Sequence, residues 1–157
     1  MEPARDSSEQ ALPALLLHST NDTFPSTHTH LLPYQRVKIG RLTDTDAAPV
    51  SEPSDPSRAI LFNFATVSRK HAEVWDEDGK IFIRDTGSSN GTFVNGERLS
   101  PEGEESQPFQ LRTGDILVLG YDVVDDNGVV VHGKVAARVV CAFTEQDIHL
   151  VGDGPPF

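Results

Sequence analysis

The chain has 157 residues and carries 24 acidic side chains against 13 Lys and Arg, so its formal net charge is -11. Duplex nucleic acid and anionic membranes repel such a balance, which excludes them as general partners. With 12 Gly, 11 Pro and 37% hydrophobic residues, the composition is typical of one loop-rich β domain.

The cysteine content and the apolar runs predict the compartment of the domain and its relation to membranes. The single cysteine, Cys141, lies in an apolar run and predicts a buried small side chain in a reducing, cytoplasmic compartment. No apolar run approaches the ~20 residues of a membrane span, so we expect no direct membrane contact by this chain. We predict a disordered tail over residues 1–12, one domain over 13–146 and a linker over 147–157.

Short β-type runs separated by turn residues extend along the whole chain, and no stretch repeats apolar residues with the helical period. The predicted strands are residues 14–18, 34–39, 59–64, 71–75, 80–84, 92–94, 98–99, 109–112, 116–121 and 129–143, the last as one or two strands. Residues 21–30 and 42–57 are predicted loops, and the former would hold His28 and His30 as solvated side chains without metal partners. Asp78-Gly79 and Asn95-Gly96 predict tight turns.

This pattern predicts an all-β sandwich of antiparallel sheets. Three motifs lie where its strands meet loops: Gly40-Arg41, Ser68-Arg69-Lys70-His71, and the stretch from Ser88 to Gly96. If these loops share one end of the sandwich, arginines, hydroxyls and an amide converge without a carboxylate among them. Such a group of hydrogen-bond donors suits a phosphate.

Together with the later segment from Leu111 to Gly120, these motifs resemble the forkhead-associated (FHA) domain family over roughly residues 15–143. The resemblance implies an FHA-like sandwich of two antiparallel sheets with about eleven strands. It also implies ligand loops at one end, and these bind phosphothreonine peptides. Phosphoserine is expected to bind more weakly, because the family's pocket holds the threonine methyl group.

Within the family, the segments around Ser68–Trp75 and Asp85–Leu99 are most similar to the sarcolemmal membrane-associated group and its fungal relatives, including the cytoplasm-to-vacuole targeting type. Those proteins are longer, with coiled coils and often a membrane anchor, so this chain is expected to be an N-terminal fragment. The resemblance implies recruitment of a phosphothreonine-containing protein, a Ste20-type kinase being one candidate, to a striatin-interacting phosphatase and kinase assembly (STRIPAK).

Five residues are predicted to bind the phosphopeptide: Arg41, Ser68, Arg69, Ser89 and Asn90. Arg41 offers a planar fork of donors, Ser68 a hydroxyl and Arg69 a second charge. The family resemblance assigns Ser89 a contact near the phosphate and Asn90 hydrogen bonds to the ligand backbone.

Five more residues are predicted to support the loops: Gly40, His71, Gly91, Asn95 and Gly96. His71 is expected to hold the loop by hydrogen bonding through its ring, as the family resemblance implies, and not to act as a base. Gly91 is expected to supply a positive φ or a close approach. Asn95 and Gly96 are expected mainly to form a turn.

Two other functions remain open at this point. The stretch from Gly87 to Gly91 matches G-x-S-x-G, the nucleophile elbow of serine hydrolases, but the elbow requires a following helix and an Asn-Gly turn follows instead. An FHA-like scaffold that binds partners without phosphate is the second alternative. The preferred prediction is a non-catalytic adaptor with no metal, no cofactor and no catalytic residue.

Overall fold

The computed structural model describes residues 13–32, 35–42 and 59–144, which form thirteen β-strands and no helix. Within these ranges, no helical segment has the length and hydrophobicity needed to cross a lipid bilayer. The predicted tail (1–12), the predicted linker (147–157) and most of the predicted 42–57 loop lie outside the described residues. The domain boundaries therefore stay predictions.

The strands follow one another in the chain. They are β1 (Ala14–Ser19), β2 (Thr27–His30), β3 (Val37–Arg41), β4 (Ala59–Phe62), β5 (Ala72–Glu77), β6 (Lys80–Asp85), β7 (Thr92–Val94), β8 (Glu97–Arg98), β9 (Phe109–Leu111), β10 (Ile116–Leu119), β11 (Val123–Val124), β12 (Val130–His132) and β13 (Val135–Ala142). Sheet A has the order β2-β1-β13-β10-β7-β8, sheet B has the order β4-β3-β5-β6-β9, and β11 and β12 form a separate ribbon. The predicted all-β sandwich is confirmed.

Two details differ from the predicted sheets. β4 pairs with β3 in parallel, so sheet B is mixed, and the connection over residues 42–58 is long enough for the crossover that a parallel pair requires. Residues 27–30, predicted as loop, form β2 on the edge of sheet A, where they pair with β1. The β-branched Thr27 and Thr29 favour an extended backbone there, so His28 and His30 lie on a strand.

Two turns confirm the sequence prediction. Asp78 (φ 55°) and Gly79 (φ 76°) join β5 to β6, and Asn95 (φ 52°) and Gly96 (φ 87°) join β7 to β8. Both pairs are left-handed, which matches the right-handed twist of the strands they connect.

The core lies between the inner faces of the two sheets. Along β6, the buried positions are Ile81, Ile83 and Asp85, and the alternate side chains lie on the outer face. β13 is buried at almost every position because β1 and β10 flank it in sheet A. Cys141 is a buried free thiol in this core, as the sequence predicted.

One end of the sandwich carries the segments 63–71 and 86–91, and this is called the loop end below. β3 runs toward it and ends at Arg41, while β5 leaves it at Ala72. β7 also leaves it, at Thr92. The strand directions therefore bring all three sequence motifs to the loop end, at least in part.

Adjacent residues of β10 test the assignment of the core. Leu117 is fully buried between the sheets, whereas the Ile116 side chain faces outward and is 37% exposed. We expect Leu117→Ala to lower the free energy of unfolding by about 2–5 kcal/mol, since it leaves a cavity. Ile116→Thr keeps a β-branched side chain and should change it by about 0.5 kcal/mol or less. Urea denaturation measures both, and equal losses would contradict the assignment.

Candidate functional site

Gly40 allows two segments to cross at close range. A Cβ built on Gly40 would lie 2.0 Å from the carbonyl oxygen of Arg69. The neighbouring backbone is tied to the same segment, because the Arg41 N–H donates to the Ser68 carbonyl at 3.0 Å and the His71 N–H donates to that of Ile39 at 3.0 Å. Only glycine permits this crossing, which puts the first two motifs in contact.

The side chain of Arg41 is aimed at the loop end by the alternation of β3. It lies on the same side of the strand as the buried Val37 and Ile39. Arg41 is the last residue of β3 and is only partly buried, so its side chain lies at the edge of the core. Its guanidinium lies 3.5 Å from the Ala65 carbonyl, at the limit of a hydrogen bond, so most of its donors remain available.

A hydroxyl connects the second and third motifs. The Ser89 N–H donates to Ser68 Oγ at 3.1 Å. Because that bond uses the oxygen as acceptor, the hydroxyl hydrogen of Ser68 is left to donate to a ligand. Ser89 itself is exposed beside it.

His71 links the two sheets. The Ser68 N–H donates to Nδ1 at 3.0 Å, and Nε2 donates to the Gly91 carbonyl at 2.8 Å. Since Nδ1 accepts, the fully buried ring is neutral with its proton on Nε2. Burial lowers the pKa of His71 below its ordinary value of 6.5, and the charge of Arg98 adds to this while the Gly91 carbonyl and Asp85 oppose it.

Gly91 has two constraints on its backbone. Its φ is 97°, and an added Cβ would lie 2.8 Å from the Phe93 ring and 2.9 Å from Nε of Arg98. Its carbonyl accepts from both His71 and the Gly120 N–H. The turn therefore needs glycine both for conformation and for space.

The buried carboxylate of Asp85 organises the loop 86–91, a role that the sequence analysis missed. One oxygen accepts the N–H groups of Gly87 (2.7 Å) and Ser88 (2.8 Å), and the other accepts the hydroxyls of Ser88 (2.5 Å) and Thr92 (2.7 Å). The Ser88 hydroxyl in turn accepts the Gly91 N–H at 3.0 Å. The available signal was an acid at the inward-facing end of β6, two residues before Gly87-Ser88-Ser89.

The loop over residues 100–106 braces this turn from outside. The Asp85 N–H donates to Ser106 Oγ at 3.0 Å, and the Ser106 N–H donates to the Asp85 carbonyl at 3.0 Å. The Gly103 N–H donates to the Ser88 carbonyl at 3.0 Å. These contacts join residues distant in sequence, so no local motif predicted them.

Asn90 is held by its amide. Its Nδ2 donates to the Thr66 carbonyl at 2.9 Å, and Thr66 Oγ1 donates to the Gly133 carbonyl at 2.9 Å. One amide hydrogen bond is thus used to orient the side chain, which leaves its oxygen and a second N–H for a ligand backbone.

Arg98 is a further arginine near the loop that sequence analysis did not single out. Its Nε donates to the Ser100 carbonyl at 2.7 Å, and its terminal nitrogen lies 3.4 Å from the Ser89 carbonyl. It holds the loop from the side of sheet A. Its position in a two-residue strand carried no recognisable signal.

The loop end has positive side chains that are not paired with described carboxylates, which favours an anionic ligand. Among the described residues, the ion pairs join Arg36 to Glu73 and Arg84 to Glu73 and Glu105, on the outer face of sheet B. Neither Arg41 nor the exposed Arg69 has a described carboxylate within ion-pair distance. The segments that meet at the loop end thus carry two arginines and the Ser68 hydroxyl, a set of donors that can bind a dianion.

Asn95 and Gly96 are not part of this arrangement, which corrects their grouping with the loop-supporting residues. They lie at the opposite end of β7, where Asn95 Oδ1 accepts the Ile116 N–H at 2.9 Å and Nδ2 donates to Asp115 at 3.0 Å. They fasten the β7–β8 turn to the start of β10. Because β7 runs away from the loop end, the end of one continuous motif is carried to the other end of the sandwich.

The described residues do not form the elbow of a serine hydrolase. After Ser89 the chain turns through Gly91 into strand β7, where a nucleophile elbow requires a helix. No group of three or more His, Cys, Asp or Glu side chains in the described ranges has metal-binding geometry.

His71 gives a pH-dependent prediction. The pKa of His71 in the folded protein is below 6.5, so the unfolded chain binds more protons as the pH falls. The contribution of His71 to the free energy of unfolding should therefore be fully present above pH 6.5 and decrease as the pH falls below it. The pKa of His18 is also lowered, by burial and then by Arg138, and contributes with the same sign. Urea midpoints between about pH 7.5 and 5.5 should show a shallower slope for His71→Gln than for wild type.

The control for that titration is His18→Gln, which should retain the part of the slope due to His71. Parallel pH curves for wild type and His71→Gln would contradict the neutral, doubly bonded ring.

Asp85 gives a second prediction. Asp85→Ala strands four donors and should lower the free energy of unfolding by at least about 3 kcal/mol. Asp85→Asn should cost less, because its amide oxygen still accepts the N–H groups of Gly87 and Ser88. Denaturation curves compare the two variants, and equal losses would rule out the carboxylate as the organising group.

Comparisons with known proteins agree with this architecture. The FHA domain family model matches residues 37–120. The chain is 41% identical over 127 residues to the Schizosaccharomyces pombe protein C3H7.13, covering 80% of this chain and 40% of that protein. It is 34% identical over 120 residues to human sarcolemmal membrane-associated protein, covering 75% of this chain and 14% of the relative. The chain thus spans less than half the length of these relatives.

A solved structure has the same fold. The N-terminal FHA domain of Saccharomyces cerevisiae Rad53p, in complex with a phosphothreonine peptide, aligns with a TM-score of 0.56 at 17% identity, over 88% of this chain and 99% of that domain. The resemblance to FHA domains, with sarcolemmal membrane-associated protein and fungal proteins among the relatives, is confirmed, whereas the cytoplasm-to-vacuole targeting type stays a prediction. The chain belongs to the FHA domain family.

Proposed function

We propose that this chain is a non-catalytic module that binds phosphothreonine peptides at its loop end. The observation that carries the proposal is the contact at the loop end between the segment carrying Arg41 and the segment carrying Ser68 and Arg69, with neither arginine paired to a described carboxylate. The Rad53p relative, whose solved structure contains a phosphothreonine peptide, supports the same ligand class.

The phosphate is bound both by electrostatic attraction and by directed hydrogen bonds. Its oxygens accept from the Arg41 guanidinium and the Ser68 hydroxyl, and Arg69 adds a second positive charge. Phosphothreonine carries about −1.5 to −2 charges at pH 7. Because His71 and Asp85 hold the main chain around Ser68 and Ser88 before binding, less conformational entropy is lost when the phosphate arrives.

The rest of the ligand is extended main chain. Ser89 contacts the region near the phosphate, and the free amide positions of Asn90 hydrogen-bond to a peptide group of the ligand. Hydrogen bonds to a charged group contribute about 1.5–3 kcal/mol each, so two or three of them account for micromolar affinity, about −8 kcal/mol.

The partner is proposed to be a phosphorylated kinase or scaffold protein, such as a Ste20-type kinase, which the domain recruits to a phosphatase and kinase assembly of the STRIPAK type. This step rests on the resemblance of the sequence motifs to the sarcolemmal membrane-associated group. A cytoplasmic location is part of the proposal and rests on the single, buried cysteine.

A scaffold that binds without phosphate is the alternative. The outer face of sheet B favours it, since an ordered cluster there stacks Arg36 on Trp75 at 3.8 Å and Trp75 on Phe82 at 5.9 Å. That cluster is internally paired with Glu73, however, and leaves few unused donors.

Arg41 provides the direct test. A phosphothreonine peptide selected from an oriented array should lose at least about 30-fold in affinity for Arg41→Ala, corresponding to at least ~2 kcal/mol, because a charge-assisted contact is removed. Calorimetry with the phosphorylated, phosphoserine and unphosphorylated forms measures the dependence on the phosphate and on the threonine methyl group.

The matched control is Lys80→Ala, which removes an exposed positive charge at the opposite, β5–β6 hairpin end. It should bind as wild type does. Equal affinity of the phosphorylated and unphosphorylated peptides would refute the proposed function and favour the scaffold.

A further inference from the structure

A two-stranded ribbon, residues 121–132, projects between β10 and β13. Its strands β11 and β12 pair only with each other among the described residues. Its large apolar side chains are about half exposed: Tyr121 52%, Val124 53%, Val129 57%, Val130 51% and Val131 51%. Val124 and Val130 pair across the ribbon on one face, and Val131 lies on the other by strand alternation. An isolated two-stranded ribbon is marginally stable in water, and exposed apolar side chains clustered on it indicate an interaction site.

The base of the ribbon is attached to the proposed ligand loops. At the point where it leaves β10, the Gly120 N–H donates to the Gly91 carbonyl at 3.0 Å, and a Cβ on Gly120 would lie 2.5 Å from Thr66 Oγ1. Where it returns, the Gly133 carbonyl accepts from Thr66, whose own carbonyl accepts from Asn90. One residue, Thr66, thus connects the ligand-facing amide to the ribbon.

The charges around the ribbon restrict what it can bind. It contains Asp122, Asp125 and Asp126, and no Lys or Arg lies between Tyr121 and Val131. The loop over residues 100–106 also exposes Glu102 and Glu104, and its Glu105 pairs with Arg84. These acidic segments repel a partner with several anionic groups, while a single phosphate meets Arg41 and Arg69.

We propose that the ribbon is a second docking surface for an extended, apolar and non-acidic segment of the same polypeptide whose phosphothreonine binds at Arg41 and Ser68. This inference rests on the proposed function. The unpaired edges of the ribbon offer main-chain N–H and C=O groups to an extended partner, and its valines offer the apolar contact. The exposed valines lie outside the segments that carry Arg41 and Ser68, so their replacement leaves the phosphate contacts in place.

The test uses peptides with one phosphothreonine and fluorescence anisotropy. The short probe has only a few alanines on each side of the phosphothreonine. Long probes carry alternating valine and isoleucine on either the N-terminal or the C-terminal side, and matched long probes carry serine in the same positions. The ribbon variant is Val129→Thr, Val130→Thr and Val131→Thr combined, which keeps side-chain shape and β-propensity while removing apolar surface.

Wild type should bind one of the two apolar series about tenfold more tightly than its serine counterpart, the gain expected from burying roughly one valine side chain. The ribbon variant should lose this preference and still bind the short probe as wild type does. The control Ile116→Thr, on an exposed residue at the far end of the sandwich, should keep the preference.

The outcomes separate the two proposals. If the short probe fails to bind wild type, the proposed function fails. If the short probe binds and the apolar and serine series bind equally, the ribbon proposal is overturned. It is also overturned if sedimentation shows a concentration-dependent dimer that the ribbon variant abolishes, because the apolar surface then serves a second copy of this chain.

Discussion

The imidazole of His71 connects the two halves of the site. It directly precedes β5 of sheet B, accepts the Ser68 N–H and donates to the Gly91 carbonyl just before β7 in sheet A. The loops that carry Ser68 and Ser89 therefore cannot move apart without breaking a buried hydrogen bond. Leaving either partner unsatisfied costs about 1–3 kcal/mol, which is a large share of the stability of a small domain.

Asp85 makes a second connection between the sheets. It also explains how the loop over residues 86–91 is held in one conformation. Its carboxylate at the end of β6 accepts the hydroxyl of Thr92 from the opposite sheet and three donors from the turn between them. All of the negative charge is satisfied inside the loop. The outward-facing donors nearby are therefore left for a ligand, and they are positioned before it binds.

The overall acidity of the chain and its proposed anionic ligand are compatible because the site is small. The ribbon and the loop over residues 100–106 carry exposed acidic side chains, whereas Arg41 and Arg69 have no described carboxylate partner. At physiological ionic strength, charges more than about 8 Å apart are largely screened, so the nearest donors determine binding of one phosphate. A ligand with many negative charges would also meet the acidic segments and is disfavoured.

Most strand positions, the two hairpin turns and the donor motifs were determined by the sequence alone, because alternation and turn chemistry act over a few neighbouring residues, whereas β2 and β11 were not predicted. Asp78-Gly79 and the buried face of β6 are examples. Only the tertiary structure decided which of these residues meet. Asp85 and Arg98 support the loop, and Asn95 lies at the far end, because neighbours across two sheets depend on strand order and direction, which no local pattern contains.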